Sequence, residues 1–185
     1  MDAAEKRTRI VDTAAKLVHE HGFSRTSLAD IAQASGVPLG NLYYYFKTKD
    51  AIGEALVEKM SDPAVEARAK WDAELKPRER IIAFIQRTLD TKESVARHGC
   101  AVGSLCSELH KEPSPLGEQA GTLFEDFLKW LEAQFKLLGK GAESRDLAFH
   151  LVSSVQGASL LANTFHDTRQ LVRECNRLKE WVRSL

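Results

Sequence analysis

Apolar residues recur at intervals of three and four along almost the whole chain, which is the spacing that places them on one face of an α-helix. The first such segment runs from about residue 4 to residue 21, and Gly22 follows it where a helix cap is expected. The sequence contains no convincing run of alternating β-branched residues, as a strand would require. The pattern therefore predicts an all-α fold.

The segment from residue 28 to residue 50 has the pattern of a helix-turn-helix. Ser35-Gly36 supplies a tight turn between two short helices, and Pro38 suits the first turn of the second helix. Leu42 and Phe46 lie about one turn apart, so we expect both to face inward. The outer face of this helix would then carry Gly40, Asn41, Tyr43 and Tyr44.

Charge gives only weak support for nucleic-acid binding. The formal net charge of the 185 residues is zero, so the overall basicity common in DNA-binding proteins is absent. Residues 1–49 carry seven Lys or Arg against five Asp or Glu. Because this surplus is small, DNA binding would have to depend on a few well-placed contacts, contributed by two subunits.

Three observations bear on where the protein works. Charged residues interrupt every long apolar stretch, so we expect no membrane-spanning segment and no membrane partner. The N-terminal residues MDAAEKRTRIVD lack the apolar core of a signal peptide. Three cysteines form an odd, sparse set that does not indicate a disulfide framework. We therefore expect a cytoplasmic protein with reduced thiols.

Residues 26–50 resemble the DNA-binding domain of the TetR family of repressors. The matching pieces are TSLADIA, the turn ASGV and GNLYYYFKTKD, and the first helix followed by Gly22-Phe23 fits as well. About fifty residues carry this resemblance, whereas the rest is similar to the family only in length and helical content. The expected organisation is a helix-turn-helix DNA-binding domain at 1–49 and a larger helical domain at 50–185 that binds a ligand and dimerises.

The resemblance implies a homodimer that binds a palindromic operator in double-stranded DNA, represses transcription and is released by a small-molecule effector. Base-edge contacts would fall on Leu39, Gly40, Asn41 and Tyr43. Phosphate contacts would fall on Ser27, Tyr44, Tyr45 and Lys49, with Lys47 a weaker candidate. The chemistry agrees, since amides bond base edges whereas hydroxyls and ammonium groups suit phosphates. Leu39 departs from the pattern, because a polar reader often stands there.

The last two helices, near residues 144–165 and 168–184, are expected to form the dimer. Their proposed contact stripe includes small residues that permit close approach, and it consists of Leu147, Leu151, Ser154, Val155, Gly157, Ala158 and Leu161-Ala162. A second apolar face is expected at Leu171, Val172, Leu178, Trp181 and Val182. In the resembled family the corresponding helices pair with their symmetry mates in a four-helix bundle. Packing within one chain is the alternative.

Aromatic residues in the body could line an apolar cavity for the effector. The candidates are Trp71, Phe84, Phe124, Phe127 and Trp130. Aromatic residues at helical spacing are also typical of an ordinary core, so both interpretations stay open. The ligand itself cannot be read from these residues.

The segment HGCAVGSLCSELH, residues 98–110, concentrates unusual chemistry. One interpretation is a thiol sensor that uses Cys100 or Cys106, with glycines exposing the first thiol and His98 nearby. A second is a metal site built from Cys106 and His110 with His98 or Cys100. The third and favoured interpretation is simple packing of small cysteines at a helix junction. We expect no resident metal and no cofactor, and Cys175 has no assigned role.

The sequence gives little support for other classes of protein. It has no phosphate-binding glycine loop before a strand, no G-x-S-x-G and no H-E-x-x-H, so we do not expect an enzyme. A protein-binding helical adaptor remains the other alternative. Signals between the two domains would pass through the fourth helix, which begins after Thr48 and is expected to break or kink at residues 61–63.

Overall fold

The computed structural model describes residues 2–185, except for the side chains of residues 62 and 63. Over this range the chain forms α-helices and one 3₁₀ turn at Gly141–Glu143, without any strand, which confirms the all-α prediction. The helices are α1 (Ala3–His21), α2 (Leu28–Ser35), α3 (Leu39–Tyr45), α4 (Lys49–Glu74), α5 (Pro77–Asp90), α6 (Lys92–His98), α7 (Ala101–Leu109), α8 (Pro115–Leu137), α9 (Ser144–Phe165) and α10 (Thr168–Ser184). Among the described helices, none has the length and apolarity needed to cross a membrane.

Local sequence signals account for the ends of α1. The Asp2 carboxylate accepts the backbone N–H of Glu5, and the Glu5 carboxylate accepts the N–H of Asp2, both at 2.8 Å. At the other end, the Gly22 N–H bonds the Val18 carbonyl oxygen. Gly22 has φ of 91°, a backbone conformation that residues with a side chain rarely adopt. The glycine therefore allows the chain to turn sharply after α1.

The helices assemble into two compact units. The first contains Met1–Pro63 and Ser104–Leu123, and the second contains Ala64–Gly103 and Phe124–Leu185. Residues 1–49 are thus part of a larger compact unit, to which the end of α7 and the start of α8 also belong. Helices α4, α7 and α8 each contribute residues to both units.

Unit 1 is organised around a core drawn from six helices. Its fully or almost fully buried apolar side chains include Ile10, Ala14, Ile31, Leu42, Ile52, Leu56, Leu105 and Ala120. A close approach occurs at Gly53 of α4, where an added Cβ would lie 2.5 Å from Leu116 Cδ2 and 3.2 Å from Phe23 Cζ. The absence of a side chain at Gly53 lets Leu116 of α8 and Phe23 pack directly against α4.

Unit 2 has its own core, built mainly from α5, α8, α9 and α10. Its buried side chains include Ile81, Ile85, Leu131, Phe135, Leu151, Val155, Leu171, Leu178 and Val182. Arg80 of α5 links α8 and the end of α4. Its guanidinium donates to Gln134 Oε1 at 3.0 Å and to the Leu75 carbonyl oxygen at 2.8 Å. These bonds satisfy the buried Gln134 amide oxygen and hold the end of α4 beside α5.

Of the two outcomes expected at residues 61–63, a break or a kink, the break is wrong, because α4 is helical from Lys49 to Glu74. A proline removes one N–H from the helical ladder and disfavours helix in the residue before it. The helix nevertheless continues for 26 residues. Buried residues also stand on both sides of the segment, Val57 before it and Ala64 after it. Packing of the flanking turns therefore outweighs the local preference.

Candidate nucleic-acid interface

Helices α2 and α3 are joined by a left-handed turn at Gly36, with φ of 65° and ψ of 21°. The Gly36 N–H bonds the carbonyl oxygens of Ala32 and Gln33, which ends α2. Val37 is buried between the two helices, and Pro38 stands immediately before α3. The sequence pattern that indicated a helix-turn-helix thus corresponds to two short helices with a glycine turn between them.

The seven residues of α3 divide into a buried side and an exposed side. Leu42 is fully buried and Phe46, which follows the helix, is 3% exposed. Tyr43 and Tyr44 are 47% and 81% exposed. The exposed set also contains Leu39, Gly40 and Asn41. The base-edge candidates therefore share the solvent side of one helix, while spacing of about one turn places the two large apolar residues inside.

Gly40 lies in open space. Among the described atoms, none comes within 4 Å of the position that a Cβ at Gly40 would occupy. Packing within the chain therefore does not require a glycine here. The exposed backbone at this position would allow an external group, such as the edge of a groove, to approach closely.

The phosphate candidates lie in different environments. The Ser27 hydroxyl caps α2, accepting the Asp30 N–H at 3.1 Å and donating to Asp30 Oδ2 at 2.6 Å. These bonds from Ser27 hold the pKa of the Asp30 carboxyl below its usual range. Tyr45 is half-buried, with its ring edge-on to Tyr44 at 5.3 Å between centroids, whereas Lys47 is exposed. Ser27 is thus engaged in capping α2, whereas Tyr44 and Lys47 are exposed.

Lys49 stands at the start of α4, but its ammonium group binds within the protein. Its Nζ donates to the Ser24 carbonyl oxygen at 2.9 Å and lies 4.8 Å from the centre of the Phe23 ring. The preceding residue Thr48 caps α4 by accepting the Ala51 N–H at 3.1 Å. The Lys49 side chain therefore ties the start of α4 to the turn that follows α1.

A carboxylate that sequence reasoning did not single out acts on the same turn. Glu108 of α7 accepts the Phe23 N–H through Oε1 at 3.1 Å and the Ser24 N–H through Oε2 at 2.9 Å. The partners are 85 and 84 positions apart in the chain. No local pattern could have connected them, because helical spacing relates only residues within a few turns.

The five aromatic candidates for the effector cavity form one continuous cluster in unit 2. Ring centroids are 5.8 Å apart for Trp71 and Trp130, 5.6 Å for Phe84 and Phe127, and 6.4 Å for Phe124 and Phe127. Phe84 also contacts Trp130, at 6.5 Å. All five side chains are half-buried rather than enclosed. The structure thus brings together residues that are up to 59 positions apart in the sequence.

Two polar groups border this aromatic cluster. The Trp130 Nε1–H donates to Asp72 Oδ2 at 3.1 Å. Arg68 lies 5.6 Å from the centre of the Phe127 ring and donates to the Asp126 carbonyl oxygen at 3.0 Å. Burial lowers the pKa of the Arg68 guanidinium from its usual value, with Asp126 and Asp72 opposing the change. The cluster therefore combines ring faces with a cation that is partly removed from water.

The three cysteines differ sharply in access. Cys100 is half-exposed just before α7, and its Sγ lies 3.5 Å from Gln156 Nε2. Cys106 is buried, and its Sγ donates to the Ala120 carbonyl oxygen at 3.1 Å. Cys175 is also buried, and burial raises the pKa of its thiol to about 11. Of these thiols, Cys100 has the best access to a reagent in solvent.

The metal alternative receives no support from the described residues, since they contain no group of three or more His, Cys, Asp or Glu side chains arranged to hold an ion. His110 Nδ1 instead lies 3.1 Å from the backbone carbonyl oxygen of Cys106 on the same helix turn. An added Cβ at Gly121 would come 3.2 Å from His110 Nε2, so the imidazole packs against α8. The segment is a helix junction in which the histidine serves packing.

Part of the apolar stripe expected at the dimer contact of α9 packs within the chain, whereas Gly157 and Leu161 of the same stripe are exposed. Leu151, Val155, Ala158 and Ala162 are buried in the core of unit 2, together with Leu171, Leu178 and Val182 of α10. The exposed apolar side chains of α9 are Phe149, Leu160, Leu161 and Phe165. Both sides of α9 are apolar, so sequence periodicity could not distinguish the side that packs within the chain from the side left uncovered.

Comparison with known proteins agrees with this architecture. Residues 10–56 match bacterial regulatory proteins of the tetR family, and residues 77–175 match the C-terminal domain of LmrA/YxaF-like transcriptional regulators. The HTH-type transcriptional repressor DhaR of Mycobacterium sp. (strain GP1) is 30% identical, over 83% of this chain and 80% of DhaR. The uncharacterized HTH-type transcriptional regulator YxaF of Bacillus subtilis (strain 168) is also 30% identical, over 97% of this chain and 96% of YxaF.

A solved structure shows the same fold over nearly the whole chain. The TetR transcriptional regulator from Legionella pneumophila superposes with a TM-score of 0.86 at 24% identity, covering 97% of each chain. The second matched domain alone spans more than half of the sequence. The chain belongs to the TetR family of bacterial transcriptional regulators, DNA-binding proteins that are not enzymes.

Proposed function

We propose that this regulator is a repressor that binds a palindromic operator as a homodimer, reading DNA with residues 1–49 and sensing a small molecule with residues 50–185. The observation that carries the DNA-reading part is the division of α3, where Leu42 is fully buried while Tyr43 and Tyr44 face solvent. A short helix with this division can enter a major groove without giving up its core packing. DhaR, a relative of similar length, is itself a repressor.

The exposed groups of α3 divide by chemistry. The Asn41 amide can donate to and accept from a base edge, Gly40 lets the backbone approach, and Leu39 can contact a thymine methyl group. Tyr44, Tyr45 and Lys47 suit phosphates, as do Ser27 and Lys49 at the starts of α2 and α4. Because the net charge is zero, these contacts rather than bulk attraction would supply most of the operator affinity.

Tyr43→Ala should weaken operator binding by about ten- to a hundredfold, which is the effect of losing one base contact of about 1–3 kcal/mol. The operator would be selected from random duplexes with the wild-type protein, and affinities measured by gel shift. Lys70→Ala, an exposed change on α4 outside unit 1, is the matched control and should leave affinity unchanged. Wild-type affinity of the Tyr43→Ala protein would contradict the assignment, and the absence of salt-dependent binding to duplex DNA would favour a protein-binding adaptor.

The exposed side of α9 is the surface we assign to the homodimer. Phe149, Leu160 and Phe165 are each more than 60% exposed, and Leu161 lies beside them. A Cβ at Gly157 would meet no described atom within 4 Å, so a partner helix could approach closely there. A contiguous exposed apolar surface is typical of a protein contact. In a symmetric dimer, this surface of each chain would be buried against the same surface of the other chain.

Leu160→Asp should convert the dimer into a monomer at micromolar concentration, because burying an unpaired carboxylate costs several kcal/mol. Molar mass from light scattering after size exclusion is the measurement. Leu137→Asp changes an equally exposed leucine of α8 and should leave the dimer intact. A dimer that survives Leu160→Asp would place the contact elsewhere.

We assign the effector to the aromatic cluster of unit 2. Its rings are half-buried, so each still offers surface to a small apolar or aromatic molecule. Phe84 is central, because it contacts both Phe127 and Trp130. The Arg68 guanidinium and the Trp130–Asp72 hydrogen bond would orient a ligand that also carries a polar group.

Phe84→Ala should reduce the affinity of an effector by about tenfold or more while leaving operator binding unchanged, because it removes ring contacts within unit 2 and none within unit 1. Compounds that raise the melting temperature of the wild-type protein in a thermal-shift screen are the probes. Their ability to release operator DNA is then compared in both proteins. Leu137→Ala is the control for an exposed apolar change on α8. Equal release from the Phe84→Ala protein would exclude the cluster.

A thiol sensor is a second candidate function, favoured by the access of Cys100. Its thiolate would add to the β-carbon of an unsaturated aldehyde or quinone, forming an S–C bond while a proton from water reaches the α-carbon. Gln156 would have to move, since its Nε2 lies 3.5 Å from Sγ. The space is tight, because a Cβ at Gly103 would come 2.6 Å from Gln156 Oε1. Cys106 is a weaker choice because it is buried.

Cys100→Ser should abolish operator release by quinones and unsaturated aldehydes, whereas Cys175→Ser should retain it. The difference arises because a thiol with a pKa of about 11 is almost wholly protonated at neutral pH. Mass spectrometry of the treated wild-type protein should place the first adduct on Cys100. Release that persists in the Cys100→Ser protein would refute thiol sensing.

A further inference from the structure

The turn between α1 and α2, residues 22–27, is held by a carboxylate from a distant helix. Both oxygens of Glu108 accept backbone N–H groups, from Phe23 at 3.1 Å and from Ser24 at 2.9 Å. Hydrogen bonds to an ionised acceptor are roughly twice as strong as neutral ones. Two such bonds to consecutive amides fix both the position and the direction of this backbone segment.

Gly22 makes the contact possible. A Cβ at this position would lie 2.8 Å from Glu108 Oε1 and 3.3 Å from Oε2, so any side chain would push the carboxylate away. The φ of 91° independently favours glycine. The close approach of Glu108 and the turn conformation therefore depend on the same residue.

Two candidate phosphate contacts are attached to this turn. The Ser24 carbonyl oxygen accepts the Lys49 ammonium at 2.9 Å, which ties the start of α4 to the turn. Ser27 ends the turn and caps α2. Within the turn, the Thr26 hydroxyl donates to the Gly22 carbonyl oxygen at 2.8 Å. If residues 23–24 moved, Lys49 would move with them because it donates to the Ser24 carbonyl oxygen. Ser27 would also be displaced, since it lies in the same turn.

We propose that Glu108 is the positioning residue of the DNA-reading unit: it holds the turn so that Ser27 and Lys49 keep their places relative to α3. This inference rests on the proposed assignment of Ser27 and Lys49 to phosphates. Glu108 touches no DNA in this mechanism and acts through the backbone of Phe23 and Ser24. Loss of its carboxylate lets the phosphate contacts drift while the base-reading face of α3 stays folded.

Charge and position make opposite predictions for Glu108→Ala, which gives a sharp test. Removing one negative charge from the protein should strengthen its attraction to DNA if only bulk electrostatics matters. Losing the positioning contact should weaken binding by about tenfold, equally for operator and non-operator duplexes, and reduce the salt slope by about 1. Tyr43→Ala should differ, since it weakens operator binding selectively.

The experiment compares wild-type protein, Glu108→Ala, Glu108→Gln and the control Glu118→Ala, an exposed change on α8. Hydrogen exchange of the Phe23 and Ser24 amides is measured without DNA, and affinities by fluorescence anisotropy at several salt concentrations. Exchange should accelerate about tenfold or more in Glu108→Ala. Glu108→Gln keeps one acceptor oxygen and should be intermediate in both exchange and affinity, whereas Glu118→Ala should match wild type.

Affinity that is unchanged or higher in Glu108→Ala overturns the proposal, even if exchange of the two amides accelerates, because Glu108 is then only a structural tie. Unchanged exchange overturns it as well. A wild-type protein that binds no duplex would overturn the proposed function and this inference together. The exchange measurement separates the cases, since it reports on the turn in the absence of DNA.

Discussion

The packing of the buried Leu42 side chain is the interaction on which the proposed DNA-reading surface depends. Helix α3 has only seven residues, too few to be stable alone, so packing must hold it in place. Leu42 and Phe46 supply that packing from one side of the helix. The remaining positions are then free to carry exposed amide, glycine and tyrosine groups. Unit 1 as a whole can be understood as the support for this one side of α3.

Much of this arrangement could be predicted from the sequence because it is local. Spacing of about one turn identified Leu42 and Phe46 as inward, and the turn at Gly36 follows from residue chemistry within a few positions. The length of α4 could not be predicted locally. The proline disfavours helix, but the burial of Val57 and Ala64 on either side stabilises it. Local rules fail where distant parts of the chain decide the outcome.

The same limit explains why periodicity could not separate the core side of α9 from its exposed side, and why Glu108 was not singled out. Periodicity shows that α9 is apolar, yet it cannot tell that Leu151 packs within unit 2 while Leu160 is exposed. Glu108 bonds residues more than eighty positions away, and an isolated glutamate on a short helix carries no signal. The five aromatic candidates were grouped only because they share a residue type, and their role in binding an effector stays a prediction. Its ring contacts depend on the fold.

Two side chains of opposite charge, each from a different helix, bind the turn after α1. Glu108 of α7 accepts the Ser24 N–H, and Lys49 of α4 donates to the carbonyl oxygen of the same residue. The carboxylate therefore accepts an N–H group and the ammonium donates to a carbonyl oxygen, as their charges favour. Movement of either helix would displace the turn. A regulator with zero net charge has little bulk attraction to DNA, so its affinity depends on a few contacts in fixed relative positions. Such a protein gains more from a rigid turn than a strongly basic one would. Under the proposed assignment of Ser27 and Lys49 to phosphates, a small shift of the turn would disturb both contacts at once.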